Sequence, residues 1–370
     1  MPRVLRHLFS AFLLCTPLAV LSATASLLPI SDFSRHPELG NPSLSPDGQM
    51  LAVSVRNTDK DGNNHYQLAV LHLPDLKVLS RLDMAAYKVP GQVVWVSNTR
   101  LVVALAYESP WLDVPQLSGE LVALDYDGSH KAILYSLHDR GNSIHSQDMP
   151  RGWAFIDELP EPRNNHIYVD LRPFPTGNYT LYDQSISMVY DVDSRNGAAT
   201  LMGKIEKGDM KFVVHDGVAR FAYGSPDAGA TMRTYTRDNE DQPWRQLPAS
   251  VTGNELVPLR IRVDGGRMWS MYSADGGPEQ LVSSKLDGSD RKVLASDSFA
   301  SVGDILWAPH HGAPYAASLA VGRPHFVALD DSPMAQVQQA LNAKFPDEVI
   351  NIAGQSDDGT FVPFTDILFN

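Results

Sequence analysis

The segment Ser43-Leu44-Ser45-Pro46-Asp47-Gly48-Gln49-Met50-Leu51-Ala52-Val53-Ser54-Val55 constrains the fold more than any other, because its grammar returns along the chain. Proline sets the backbone at the first corner of the turn and glycine accepts positive φ at the later one, so local chemistry specifies the reversal. Leu51, Val53 and Val55 then alternate on one strand face. One such hairpin is marginal in water, so its recurrence carries the argument. Apolar strand, polar turn and apolar strand recur around Asn98, Asn164, Asp216, Asp264, His311 and Asp358. Starting from Asp47, the turn centres are separated by 51, 66, 52, 48, 47 and 47 residues. A period of about fifty built from strands is what four-stranded propeller blades produce.

A second hairpin falls between these markers. Leu121–Gly128 turns into Lys131–Leu134, Leu281–Gly288 into Arg291–Leu294, and Leu68–Asp75 into Val78-Leu79, which predicts the outer turns of blades one, two and five. The 66-residue interval holds Leu171–Tyr179, whose Pro173, Pro175 and Gly177 predict a rim loop. A single short helix is predicted from Met334 to Phe345, with Ser332 as cap, Pro333 in the first turn and Val337, Leu341 and Phe345 on the packed face. The expected fold is therefore all-β: a propeller with blades 1–6 over residues 41–351 and the start of a truncated blade 7 over 352–370. The open faces of blades six and one then predict self-association.

Ahead of the repeats, Arg3, Arg6 and His7 precede an apolar run from Leu8 to Leu21, and Ala23-Thr24-Ala25 has the small residues of a cleavage site. Residues 1–25 read as a signal peptide and 26–40 as a leader, which predicts a periplasmic or secreted protein. Cys15 sits mid-run behind Leu14, so it reads as an apolar-core residue rather than a lipidation site. It is the sole cysteine, and its loss with the signal excludes disulfides and thiolate chemistry from the mature chain. No later run reaches the roughly 18 apolar residues of a membrane span. The formal charge of −13 becomes −15 once Arg3 and Arg6 leave, which argues against nucleic acid as a partner.

Several residue groups invite a chemical reading. The adjacent His310 and His311 suggest metal ligands, but neighbours along a strand point apart, so a polar turn is expected. Asp59, Asp61 and Asn63 match the first, third and fifth positions of a calcium loop. Asn64 replaces its glycine and Val70 its final glutamate, which leaves a flexible hairpin tip. Trp95 and Trp307 sit three or four residues before their turn centres, in the register of Leu44, Val213 and Ile261, and are assigned to inter-blade packing. No metal, cofactor or catalytic residue is expected.

The mature N-terminus, Leu28-Pro29-Ile30-Ser31-Asp32-Phe33-Ser34-Arg35-His36-Pro37 followed by Leu44–Gly48 and Leu51-Ala52, resembles exported bacterial serine peptidases of the prolyl oligopeptidase family, of the dipeptidyl aminopeptidase or acylaminoacyl-peptidase type. Trp95–Val102, and the late helix followed by Ser356-Asp357-Asp358-Gly359, are similar to further landmarks of that group. The resemblance implies a propeller that caps an α/β-hydrolase domain and filters peptides, with the catalytic triad in the second domain. The glycine-x-serine-x-glycine elbow of that domain is missing here. Gly141–His145 and Gly354–Asp358 each lack the second glycine. The expected function is thus a substrate-gating propeller that is inert by itself, its partners being peptides or a separate catalytic domain. The alternative is a free-standing periplasmic binding or scaffold propeller. A quinone or sugar enzyme on the same fold lacks a supporting constellation. Some family members hold a substrate amine with propeller acids, but Glu158, Glu161 and Arg163 do not align with that motif and are expected in a solvated loop.

Overall fold

A computed structural model of the chain describes residues 38–73, 75–109, 111, 114–137, 149–174, 186–226, 231–319, 325–352, 354–360 and 364–368. The expected signal peptide, most of the leader, the near-miss elbow at Gly141–His145 and the tip of the insertion at 175–179 lie outside these residues. Among the described residues no helix is long and apolar enough to cross a membrane.

The strands form seven antiparallel sheets in chain order. Sheet 1 holds β1 (Leu39–Leu44), β2 (Met50–Thr58), β3 (Asn64–His72) and β4 (Lys77–Asp83), and sheet 2 holds β5 (Lys88–Trp95), β6 (Arg100–Tyr107), β7 (Gln116–Asp125) and β8 (Ala132–Tyr135). Sheet 3 is built from β9 (Gly152–Ile156), β10 (His166–Pro173), β11 (Ser187–Asp193) and β12 (Ala199–Ile205). Sheet 4 contains β13 (Met210–His215), β14 (Val218–Gly224), β15 (Arg233–Thr236) and β16 (Arg245–Gln246), after which one helical turn, α1 (Ala249–Thr252), leads on. Sheet 5 comprises β17 (Glu255–Ile261), β18 (Met268–Ser273), β19 (Gln280–Ser284) and β20 (Lys292–Ala295). Sheet 6 has three strands, β21 (Val302–Trp307), β22 (Pro314–Leu319) and β23 (His325–Ala328), followed by α2 (Pro333–Lys344). Sheet 7 has two, β24 (Glu348–Ile352) and β25 (Phe364–Leu368). Its first strand straddles the boundary expected at residue 352. Every marker turn read from the sequence joins the first two strands of a sheet, so the fold is a β-propeller which, among the described residues, has five full blades, a three-stranded sixth and a two-stranded seventh.

Period-two alternation explains why the core lies between blades rather than within them. Along β6, Leu101, Val103 and Leu105 join Leu68, Val70 and Trp95 in the cluster between sheets 1 and 2. Val102 and Ala104 point the other way, into a cluster with Leu121, Ile167, Val169 and Tyr190 between sheets 2 and 3. A central strand packed on both faces therefore reads as an unbroken apolar run. Phe212 and Ala219 close the junction of sheets 3 and 4, Phe221 and Leu256 that of 4 and 5, and Leu281 and Ala317 that of 5 and 6.

A buried arginine reinforces one of these junctions. Arg100, 4% exposed, donates from Nη1 to Asp125 Oδ1 at 2.6 Å and from Nη2 to Ser194 O at 2.6 Å and His130 O at 3.1 Å. The ring closes through the seventh sheet. Gln355 Nε2 donates to Trp307 O at 2.8 Å on one side, and the Asp357 amide donates to Pro46 O at 2.7 Å on the other. The hairpins at this closure are twins. Ser45 Oγ donates to Asp47 Oδ1 and Ser356 Oγ to Asp358 Oδ1, each at 2.7 Å. Gly48 and Gly359 both take positive φ, near 70°. Sheet 7 thus occupies the space between the sixth and first blades that the sequence reading leaves open.

The helix differs from expectation in its packed face. Ser332 does cap it, accepting from the Ala335 amide, but the buried residues are Ala335 and Gln338, while Val337 is exposed. Met334 and Ala335 pack on Tyr315 and Phe326 of sheet 6, and polar anchoring adds to this. Gln338 Nε2 donates to Ile350 O at 3.3 Å and Asn342 Nδ2 to Phe326 O at 3.0 Å, so the helix takes the position of a fourth strand and satisfies carbonyls of β24 and β23. Pro173 also departs from the loop reading: it ends β10 opposite Gly152, where a strand terminus tolerates the missing amide.

Candidate axial recess

The turns after the first strand of each sheet gather at one end of the ring axis. There a cavity of about 390 Å³ is lined from six of the seven sheets. The long connection between β9 and β10 brings Glu158, Leu159, Glu161 and Arg163, β17 brings Arg260, β21 brings Trp307, the next turn brings His310 and His311, and the sheet 7 turn brings Asp357.

Charges of both signs meet here as cross-ring pairs. The Glu158 carboxylate accepts from Arg260 Nε. His310 Nδ1 lies 3.2 Å from Glu161 Oε1, and Arg163 Nη2 lies 3.4 Å from Asp357 Oδ1. His311 Nε2 sits 2.8 Å from Leu159 O, and because a carbonyl only accepts, that nitrogen carries the proton. The Arg260 guanidinium also stacks over Trp307 at 4.4 Å, a favourable cation–π contact. Trp307 in turn meets Trp269 edge-on, with ring centroids 5.6 Å apart.

These positions correct two sequence expectations. Glu158, Glu161 and Arg163 are recess-lining groups paired with residues about 100 to 200 positions away, rather than a solvated loop. His310 and His311 do sit in a turn, but both take positive φ, 54° and 51°. Strand alternation does not apply to such a pair, so both imidazoles reach the same connection of sheet 3. Trp307 and Trp95 both border the recess and both pack between blades as expected, Trp307 against Trp269 and Arg260 of sheet 5, and Trp95, 2% exposed, donating from Nε1 to Ser43 O at 2.9 Å. Long-range pairing of this kind has no local signature. The one available hint was the 66-residue interval, which marks an enlarged connection at sheet 3.

The other sequence candidates fall elsewhere. Asp59 organises its hairpin tip: its Oδ1 accepts from the amides of Asp61 and Asn63 and its Oδ2 lies 3.1 Å from His65 Nε2. Hydrogen bonds, first from the Asn63 amide and then from His65, lower its pKa to about 2. Ser356 is fully buried in the sheet 7 turn. Among the described residues no group of three or more histidine, aspartate or glutamate side chains could hold a metal ion.

Directly behind Glu158, two carboxyl groups crowd the junction of sheets 3 and 4. Asp170 on β10 is 6% exposed, and its Oδ1 has no hydrogen-bond partner. Asp157 follows β9 and is half-buried. Burial, then the charge of Glu158, pushes Asp157 up to about 7, against the attraction of Lys211. Burial and the charge of Asp157 push Asp170 well above the usual carboxylate range, although Arg172 and Lys211 oppose the shift.

No protein-family model matches the chain, and no curated protein matches it in sequence. Solved structures share its architecture at low identity. A prolyl endopeptidase, studied for inter-domain dynamics in catalysis and specificity, is 15% identical with a TM-score of 0.45, over 78% of this chain and 37% of its own. This chain therefore spans little more than a third of that protein. The β-propeller domain of the Trilobed protease from Pyrococcus furiosus is 12% identical with a TM-score of 0.35, over 80% of this chain and 97% of its own. TolB from Acinetobacter baumannii is 12% identical with a TM-score of 0.40, over 77% and 62%. The propeller assignment rests on the seven sheets themselves.

Proposed function

We propose that this chain is an exported peptide-binding propeller, the gating and positioning part of a prolyl oligopeptidase-like serine peptidase, and that its axial recess receives a peptide terminus. The supporting observation is the convergence of Glu158, Glu161, Arg163, Arg260, His310, His311 and Asp357 from four sheets on one cavity. Their charges are already paired. A ligand therefore has to exchange ion pairs rather than fill an empty charge, which suits a zwitterionic chain end bearing both an ammonium and a carbonyl or carboxylate. An incoming ammonium can take the Glu161 oxygen that His310 now faces, and freed imidazole and guanidinium donors can bind the peptide's oxygens. The propeller's part would be selection and orientation, with acyl transfer assigned to a serine outside this domain.

The test is calorimetry of the purified chain with unblocked tripeptides against their N-acetylated forms. Preference for the free amine is expected, with roughly tenfold weaker binding for Glu161→Gln, the loss of one charge-assisted hydrogen bond. Equal binding of blocked and free peptides would refute amine recognition. Turnover of peptidyl chromogenic substrates by the chain alone, blocked by a serine-directed reagent, would refute the non-catalytic role.

A further inference from the structure

A second cavity, of about 430 Å³, lies between the first strands of sheets 5 and 6 and shares Arg260 and Trp307 with the axial recess. Its volume falls within the roughly 300–1,000 Å³ typical of small-molecule sites. Bulges shape both of its walls. The register of β17 against β18 shifts between Pro258 and Arg260, which leaves Leu259 as an extra residue, and that of β21 against β22 shifts so that Gly303 and Asp304 face Ser318 alone. A bulge bends its strand and re-aims the side chains it carries. At Gly303 the bend depends on glycine: a Cβ there would lie 2.5 Å from Ser318 Oγ, which accepts from the Asp304 amide at 2.7 Å.

Leu259, Met271, Val302 and Ile305 give the cavity apolar walls that continue into the core cluster of the two sheets. The carboxylates lining it are Glu279, half-buried, and Asp304, exposed. Glu279 immediately precedes β19 and is pinned to the start of β21. Its amide donates to Ser301 Oγ at 3.0 Å, and its carbonyl accepts from the Val302 amide at 2.9 Å. Neither carboxylate makes a hydrogen bond or ion pair among the described residues. Burial, then the charge of Glu255, raises the pKa of Glu279, and no cation opposes the shift. The one cation lining the cavity, Arg260, is already held by Glu158. Two carboxylates without a counter-charge thus stand over apolar walls. A cationic head on an aliphatic stem complements both features, whereas an anion is repelled and a neutral head leaves the half-buried charge unpaired.

We propose that this cavity binds a primary aliphatic ammonium, its stem against Leu259, Met271, Val302 and Ile305 and its head shared by Glu279 and Asp304. A lysine side chain and a free alkylamine present the same group. Neither carboxylate belongs to the recess pairs, so the site does not depend on the function proposed for the recess.

The full chain is titrated calorimetrically at low ionic strength with hexylammonium, hexanol and hexanoate, and with N-acetyl-lysine methylamide against its norleucine analogue. Saturable hexylammonium binding at one site is expected, about tenfold tighter than hexanol, with hexanoate weakest. Ethylammonium should bind more weakly than hexylammonium, because its stem covers less of the apolar walls. Tighter binding of the lysine compound than of the norleucine one would assign the site to a peptide side chain, and hexylammonium binding by itself would assign it to a free amine; both support the proposal. Glu279→Gln should weaken hexylammonium about tenfold, the loss of one charge-assisted contact, while hexanol binding stays the same. Because the Glu279 carboxylate has no partner, this variant should fold normally, which circular dichroism checks. Asp304→Asn, at an exposed position, provides a second arm with the same direction. Absence of hexylammonium binding, equal affinity for hexylammonium and hexanol or for ethylammonium and hexylammonium, or both variants indistinguishable from wild type would each overturn the proposal. Hexylammonium binding abolished by Glu161→Gln and untouched by Glu279→Gln would overturn it by placing the ammonium in the recess.

Discussion

Two junctions of the ring are closed by different chemistry. Between sheets 2 and 3 an apolar cluster does most of the work, and Arg100 is threaded through it to three oxygen acceptors. At the sixth and seventh sheets a smaller apolar cluster of Tyr315, Ala316, Phe326 and Ala335 is joined by amide and backbone bonds: Gln338 to Ile350 O, Asn342 to Phe326 O, Gln355 to Trp307 O, and the Asp357 amide to Pro46 O. Apolar junctions draw on burial, which scales with area and tolerates shape change. Polar junctions depend on geometry, and each lost partner leaves a buried group unsatisfied.

Arg100→Ala should produce the largest effect. It strips donors from Ser194 O and His130 O and leaves Asp125 without its arginine, so a loss of about 3–5 kcal/mol is expected in denaturant titration. A loss below about 1 kcal/mol would mean that the apolar cluster closes the junction unaided.

An intermediate effect is expected at the acid pair between sheets 3 and 4. Both folded-state pKa values lie above the unfolded value of 3.8. For an acid this sign means that the folded protein holds protons more tightly. Stability is therefore greatest below about pH 4 for these groups and declines as pH rises toward about 7. Each unit is worth about 1.4 kcal/mol, so the decline from this source should reach a few kcal/mol. Asp170→Asn should flatten that pH dependence, since it removes the buried charge and relieves Asp157. Unchanged slopes of melting temperature against pH in the variant would remove the pair from the account.

Gln338→Ala should cost the least, about 1–3 kcal/mol, because it deprives buried Ile350 O of its donor. Hydrogen exchange should show the loss in α2 and β24, while sheets 1 to 5 stay protected. A uniform loss of protection around the ring would show that the two kinds of junction are not separable.

The contrast also explains what could be read in the sequence. Apolar alternation and turn residues act over a few positions, so all seven turn centres, the three outer turns and the cap at Ser332 were legible. The helix face was not: Val337, Leu341 and Phe345 have the right spacing, yet Met334 and Ala335 pack on sheet 6, and Gln338 and Asn342 add to the docking through carbonyls on other strands. The recess was missed for the same reason. Glu161 and His310 are 149 residues apart, and nothing near either one announces the other. Two left-handed residues in succession at His310 and His311 added a local cause, since the alternation rule applied to them holds only for extended backbone.

The docking of α2 has a consequence for the molecule's behaviour in a crowded solution. A three-stranded sheet ending at β23 would present a row of free amides and carbonyls, the template by which strands from separate molecules add to one another. A helix has no such row to offer, and Asn342 already occupies the Phe326 carbonyl. By substituting a helix for a strand, the sixth blade gives up a quarter of its sheet and becomes a poor seed for intermolecular strand addition.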